Sequence, residues 1–278
     1  MLAHSAAGSA ALLLVAAIYL AATSLFWCQL FFWPVESEAP SRCPGFYGRA
    51  CLWFGAAVHL IAIGVYGPGL FYSQSGMAAL FAWVLVVSYL MIGDRLGLGV
   101  PSVVTPVALV CTLCGVNVGR ETSFHGVRGL FWGWLAFHIL TILAAYVALA
   151  FGFAASTLYL VQETLLKRRQ LRGLWLKLPS LQVADAWIYR ATSFGLSLLT
   201  VGIVTGLMLF GRTSPGYVAW RDPTVLFSLA TWCSFAGYIA TRKFLGWHGR
   251  RSNLVVIGGF FLMVVSFLGA PHLLAPSQ

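Results

Sequence analysis

The chain has 278 residues, 60% of them hydrophobic and only 9% charged, with 11 Trp and 20 Phe. Soluble domains carry about 25% charged residues, and disorder needs low hydrophobicity with high charge. A water-soluble globular enzyme and a disordered chain are both excluded. No charge occurs in 1–35, 50–93, 96–119, 129–162, 191–211, 223–241 or 252–278, and each stretch reaches the ~17–25 residues that cross a bilayer as helix. The fold class is all-α, a polytopic integral membrane protein.

In chain order, helices are predicted near 8–33, 50–66, 76–93, 100–118, 130–161, 189–210, 223–241 and 253–272, eight spans in all. No positive region precedes the first apolar run, so it reads as a retained anchor. Gly67-Pro68-Gly69 is a turn signal between the second and third. The fifth exceeds what a bilayer needs, so it tilts or projects through Gln162-Glu163 toward Arg172. Leu181, Ala184 and Ile188 share a helical face behind Pro179-Ser180, which predicts a short interfacial helix within 178–188. With no fixed-period repeat and no low-complexity linker, residues 1–278 read as a single membrane domain.

The formal charge of +10 does not point to nucleic acid, because the basic residues sit in short gaps between apolar spans. There they set topology and meet anionic headgroups, so membrane lipids are the expected partner. Thirteen Lys/Arg fall in odd-numbered loops, against Arg120, Arg128, Arg212 and Arg221 in even-numbered ones. The positive-inside rule then places odd loops in the cytoplasm and both termini outside. Cys28, Cys51, Cys111 and Cys233 lie in apolar spans, where cysteine acts as a small hydrophobe. The Cys111–Cys114 pair, at i, i+3 and without a second pair, reads as a packed helix face rather than a metal or redox motif.

Topology orders the histidines. His138 lies about two turns into the fifth helix from outside, His272 ends the eighth, and His4 and His125 are external. His59 sits near mid-membrane in the second helix, and His248 lies at the inner surface as a headgroup contact. An ionisable side chain at membrane depth is a functional candidate, and neutral imidazole is a haem-iron ligand. The alternative for His59 is a hydrogen bond to a neighbouring helix, and for His138 and His272 an ordinary exposed histidine. In Tyr217-Val218-Ala219-Trp220-Arg221-Asp222-Pro223, Asp222 as N-cap and Pro223 as first helical residue make a helix start. In a functional reading, Tyr217 and Trp220 stack on a flat macrocycle while Arg221 meets a carboxylate such as a propionate. Gly202 and Gly206 read as close helix packing. No nucleophile–base pair, P-loop or HExxH occurs, so no catalytic residue is assigned. A solute carrier ranks lower, since His59 has no carboxylate beside it at the midplane.

The second half carries, in order, His138, Tyr159-Leu160, Leu178-Pro179-Ser180-Leu181, Phe194-Gly195-Leu196-Ser197, Trp220-Arg221-Asp222-Pro223, Gly246-Trp247-His248-Gly249 and Gly258-Gly259-Phe260. Over about 129–270 this resembles the cytochrome c assembly family of haem-handling membrane proteins, the CcsA/HemX group. The resemblance implies haem b as cofactor, with His138 and His272 as external histidines flanking the loop and His59 as the intramembrane ligand. It also implies the bacterial cytoplasmic membrane, with the Trp220–Asp222 loop facing outside. The family's partner histidine late in the seventh helix is Ala240 here, its Trp-Asp-Pro-Lys-Glu is Arg221-Asp222-Pro223-Thr224-Val225, and its tryptophan run is reduced to Trp220. These departures place the chain toward the shorter HemX-like branch. The expected function is haem binding or delivery at the outer face, alone or beside other membrane subunits and cytochrome c assembly proteins. The alternative is a non-catalytic HemX-like regulator or accessory subunit of a respiratory or photosynthetic complex.

Overall fold

In the computed structural model, the described residues are 2–33, 43–67, 73–92, 97, 99–116, 130–169, 173–213 and 223–268. They form nine helices and, among them, no strand: α1 (Leu2–Phe31), α2 (Pro44–Tyr66), α3 (Gln74–Ile92), α4 (Pro101–Gly115), α5 (Leu130–Lys167), α6 (Leu174–Lys177), α7 (Leu181–Thr213), α8 (Pro223–Leu245) and α9 (Arg250–Leu268). The all-α membrane fold read from composition is the one observed. Seven helices are long and apolar enough to cross a membrane. The fourth expected span is helical for 15 residues, about 22 Å at 1.5 Å per residue, against a hydrocarbon core of about 30 Å.

The helix limits follow local chemistry. Pro44 stands in the first turn of α2 and Pro101 in that of α4, where a missing N–H costs nothing. Gly67 ends α2 with a positive φ of 62° while its N–H bonds the Ile63 carbonyl, so the predicted break falls there; Pro68-Gly69 lie outside the described residues. α5 runs to Lys167, past the predicted 161, and Glu163 pairs with Lys167 one turn on at 2.5 Å. The separate interfacial helix is corrected. Leu181–Ile188 forms the first two turns of α7, because no Gly or Pro between 181 and 194 interrupts it. The face itself is as read, with Ala184 and Ile188 buried.

The chain divides into two compact units. The first comprises residues 1–124 and 161–181. In it α1 packs on α2 and α4, and α3 lies against both of those. Leu12, Val15, Tyr19, Ala22, Phe26 and Leu30 form the buried stripe of α1, spaced by three and four residues as one helix face requires. Pro106 lies inside α4 and cannot give the N–H that the Ser102 carbonyl would receive. The Trp27 indole N–H, from α1, donates to that carbonyl at 2.9 Å. Just beyond Trp27, at the C-terminal end of α1, Lys177 Nζ donates to the carbonyls of Gln29 and Leu30 at 2.8 and 2.9 Å and to that of Trp33. A cation there satisfies the last carbonyls and the negative helix end.

The second unit comprises residues 125–160 and 182–278. α7 approaches α5 through glycines: a Cβ on Gly195 would lie 2.8 Å from the Leu149 side chain, and one on Gly202 2.3 Å from Ile142 Cδ1. α9 packs on α5 through Phe153 and Phe260, stacked at 4.1 Å and 13°, and through Tyr146 edge-on to Phe267 at 5.4 Å. Ser228 of α8 and Ser266 of α9 share a hydrogen bond of 3.3 Å.

Trp27→Phe is expected to strand the Ser102 carbonyl and lower stability by about 1–3 kcal/mol, read as a fall in thermal midpoint in detergent. In a Pro106→Ala background the new N–H serves that carbonyl, so the same change should cost much less. Equal costs in both backgrounds would mean the indole bond does not compensate the proline.

Candidate functional site

Two histidines face the interiors of their own units. His59 lies on the inner face of α2 with Leu52, Ala56 and Ala62 and is fully buried. α2 comes close to α1 because Gly55 has no side chain: a Cβ there would lie 2.8 Å from Tyr19 Cε1. The Tyr19 hydroxyl therefore reaches His59 Nδ1 at 3.2 Å, with ring centroids 5.8 Å apart and tilted 55°. The other nitrogen, His59 Nε2, is buried and has no hydrogen-bond partner among the described residues. A phenol can give or accept a proton, so two states are open. Either Nδ1–H donates to Tyr19 and Nε2 carries a lone pair, or Tyr19 donates and an N–H is left in the core.

His138 differs in its anchor. It lies on α5 beside Gly202, Thr205 and Gly206 of α7. A Cβ on Gly206 would lie 2.8 Å from His138 Cε1, so the imidazole occupies the space that this glycine leaves. Its Nδ1 is 2.9 Å from the Gly202 carbonyl and 3.2 Å from Thr205 Oγ1. The one O–H proton of Thr205 is shared between the carbonyls of Val201 and Gly202, 2.9 and 3.0 Å from Oγ1. A carbonyl can only accept, so the proton of neutral His138 is on Nδ1 and Nε2 carries the lone pair. Metal-ligating histidines are commonly held this way, by donation from the opposite nitrogen to a backbone carbonyl.

The Gly202/Gly206 reading as close packing is the arrangement observed, and the ring seated there is the histidine that sequence had singled out separately. Tyr19, Thr205 and the Gly202 carbonyl were not identified as partners. The glycine pair was the available signal for the last two, whereas nothing in the sequence pairs Tyr19 with His59. Also unforeseen is a bidentate ion pair. Arg242, in the last turn of α8, reaches Asp185, in the second turn of α7, through Nη1 at 2.8 Å and Nη2 at 2.5 Å. Tyr238 OH lies 3.2 Å from Nη1, and the Tyr189 ring lies 5.1 Å beneath the guanidinium.

Tyr217, Trp220, Arg221, Asp222 and His272, together with His125, lie outside the described residues. α8 does begin at Pro223, where the Asp-Pro start signal put it. Cys111 is buried and Cys114 half-buried, both as free thiols. Among the described residues no three His, Cys, Asp or Glu gather as a metal cluster.

Comparison with known proteins adds three findings. The sequence model of the family described as cytochrome c assembly protein matches residues 72–274, a wider stretch than 129–270. A cytochrome c biogenesis protein CcsA of Prochlorococcus marinus (strain MIT 9303) is 28% identical over 217 residues, covering 68% of each chain. One from Trieres chinensis is 25% identical over 293 aligned residues, covering 94% of this chain and 93% of its own. One from Synechococcus sp. (strain CC9902) reaches 31% over 157 residues, 49% of this chain and 51% of its own. No solved structure matches the chain.

Gly206→Leu is expected to displace the His138 ring and break its bond to Gly202, at about 1–2 kcal/mol of stability. In nitrogen spectra of histidine-labelled protein, the single Nδ1–H tautomer of His138 should become a mixture. An unchanged tautomer would show that this glycine seat does not hold the ring.

Proposed function

The chain belongs to the cytochrome c assembly protein family, and from that premise we propose that it binds haem b and presents it at the outer face of a bacterial cytoplasmic membrane for cytochrome c biogenesis. The observation that carries this reading is His138 donating Nδ1–H to the Gly202 carbonyl, which leaves Nε2 as a neutral imidazole donor. His59 fits the same role through its buried, unpartnered Nε2. Nε2 of His138 and Nε2 of His59 are the nitrogens that would hold the iron of a bound haem.

The chain's own residues do the rest. Gly202 and Thr205 hold the His138 ring in one tautomer, and Tyr19 orients that of His59. On sequence grounds His272 is a second external ligand, Tyr217 and Trp220 offer aromatic faces, Arg221 a carboxylate partner, and Asp222 an N-cap ahead of Pro223. The basic-residue asymmetry of thirteen against four supports termini and loop outside, an arrangement in which α4 crosses along with the seven longer helices. Cytochrome c assembly proteins or other membrane subunits are the partners this implies.

A second reading, a HemX-like regulator or accessory subunit that keeps the fold without the complete site, is favoured by Ala240 on α8, where the family's partner histidine is expected. The deciding experiment is an absorption spectrum of gently purified protein, oxidised and dithionite-reduced, with a pyridine haemochrome assay. The haem reading expects a reduced b-type spectrum at about one haem per chain, lost in His138→Ala or His59→Ala. A haem-free protein that haem addition does not reconstitute would overturn it in favour of the regulator.

A further inference from the structure

The turn between α8 and α9 combines charge and apolar exposure in a way that haem handling does not use. Residues 243–248 are all exposed, among them Phe244 at 78%, Leu245 at 62% and Trp247 at 37%. Lys243, Arg250 and Arg251 stand beside them, with no Asp or Glu anywhere in 223–268. Arg242 is already neutralised by Asp185, whereas the other three cations have no ion-pair partner among the described residues.

The turn is folded back on its own helices. The Trp247 N–H donates to the Thr241 carbonyl at 3.3 Å, the Asn253 N–H to that of Gly249 at 3.1 Å, and His248 Nδ1 to that of Gly246 at 2.7 Å. Gly246 and Gly249, at φ 64° and 72°, take the left-handed positions that make this possible.

Its depth follows from helix length. The apolar span of α9, Arg250–Phe267, is 18 residues, about 27 Å, which crossing a core of about 30 Å uses completely. Arg250 and Arg251 are thereby held at headgroup level, and Phe244 and Leu245, at the end of α8, lie at the acyl boundary. An exposed tryptophan between cations is the composition of a membrane-interface anchor.

We propose that this turn is a docking site for acidic phospholipid, with Lys243, Arg250 and Arg251 meeting headgroup phosphates while Phe244, Leu245 and Trp247 enter the acyl boundary. Charge complementarity selects the occupant. Three uncompensated cations attract a leaflet of net negative charge, whereas a zwitterionic lipid brings its own cation with each phosphate. Each cation near such a surface adds roughly fivefold to the preference, and because the cations are exposed, salt screens it.

The test uses the full chain in phosphatidylcholine vesicles containing either brominated phosphatidylglycerol or brominated phosphatidylcholine at equal mole fraction. Quenching at Trp247 is read as the difference between the native chain and Trp247→Phe. The anionic quencher should act at least tenfold more effectively at this site, and 1 M salt should reduce the excess. The K243Q/R250Q/R251Q variant should lose the preference and K243R/R250K/R251K should keep it. If the glutamine variant does not insert, the salt series on the native chain and the charge-conserving variant decide. Equal quenching by the two lipids in the native chain, or a preference that salt and the glutamine changes leave intact, would overturn the proposal and leave the patch to a protein partner.

Discussion

Inside hydrocarbon there is no water to accept or donate a hydrogen bond, so each polar group at membrane depth needs a partner from the protein or has an exceptional status. Much of this structure follows from that constraint. Threonine hydroxyls bond back to carbonyls one turn earlier, as Thr105 does to Pro101 at 2.8 Å and Thr141 to Phe137 at 2.7 Å. The carbonyl that Pro106 deprives of its N–H is served from another helix by Trp27. Where α1 ends, Lys177 gathers three carbonyls on one ammonium. Among the described residues several buried polar atoms lack a partner, Ser156 Oγ and both side-chain atoms of Asn253 among them, and His59 Nε2 differs from these in being an imidazole nitrogen, the type that ligates haem iron.

Close approach of helices is the second condition for the histidine sites. Hydroxyl and imidazole groups are short, and they reach a facing backbone only where side chains between the helices are missing. Gly55 brings α2 onto Tyr19 and Ile18, and Gly202 and Gly206 bring α7 onto Ile142 and His138. The glycines that weaken a helix by propensity are here what allows the imidazole–carbonyl bond of 2.9 Å. Packing and candidate chemistry therefore share residues, and a substitution at Gly206 acts on both.

Helix identity and order were legible because charge exclusion and hydropathy act over whole spans, and those are properties of one segment at a time. Gly67 and Pro223 marked ends for equally local reasons, whereas Pro44, six residues before the start expected near 50, was not read as one. The interfacial helix was misplaced because Pro179-Ser180 was read as the start of a separate element, while the absence of any breaker after Ile188 was the stronger signal. Partner identities were not legible. His59 with Tyr19, His138 with Gly202, and Arg242 with Asp185 join residues 40, 64 and 57 positions apart, and no periodicity encodes which faces meet. Asp185 could have been suspected of pairing, since a carboxylate at the start of an apolar helix is costly without a cation. The family match from residue 72 likewise reaches upstream of 129–270, the stretch in which the motifs were legible.

The two histidines then separate on a point of elementary chemistry. A carbonyl accepts and never donates, so the Gly202 carbonyl leaves neutral His138 one tautomer. Its lone pair is on Nε2 before anything binds, and an electrophile arriving there finds the ring already in the required state. Tyr19 does both, so the state of His59 is set by whatever meets its other nitrogen. An electrophile at Nε2 selects the form in which Nδ1–H points to the phenol oxygen, and ligation at His59 is coupled to rotation of the Tyr19 hydroxyl. Residues of one type, each with Nδ1 engaged, thus differ in preorganisation because one faces a backbone acceptor and the other a side chain of either polarity.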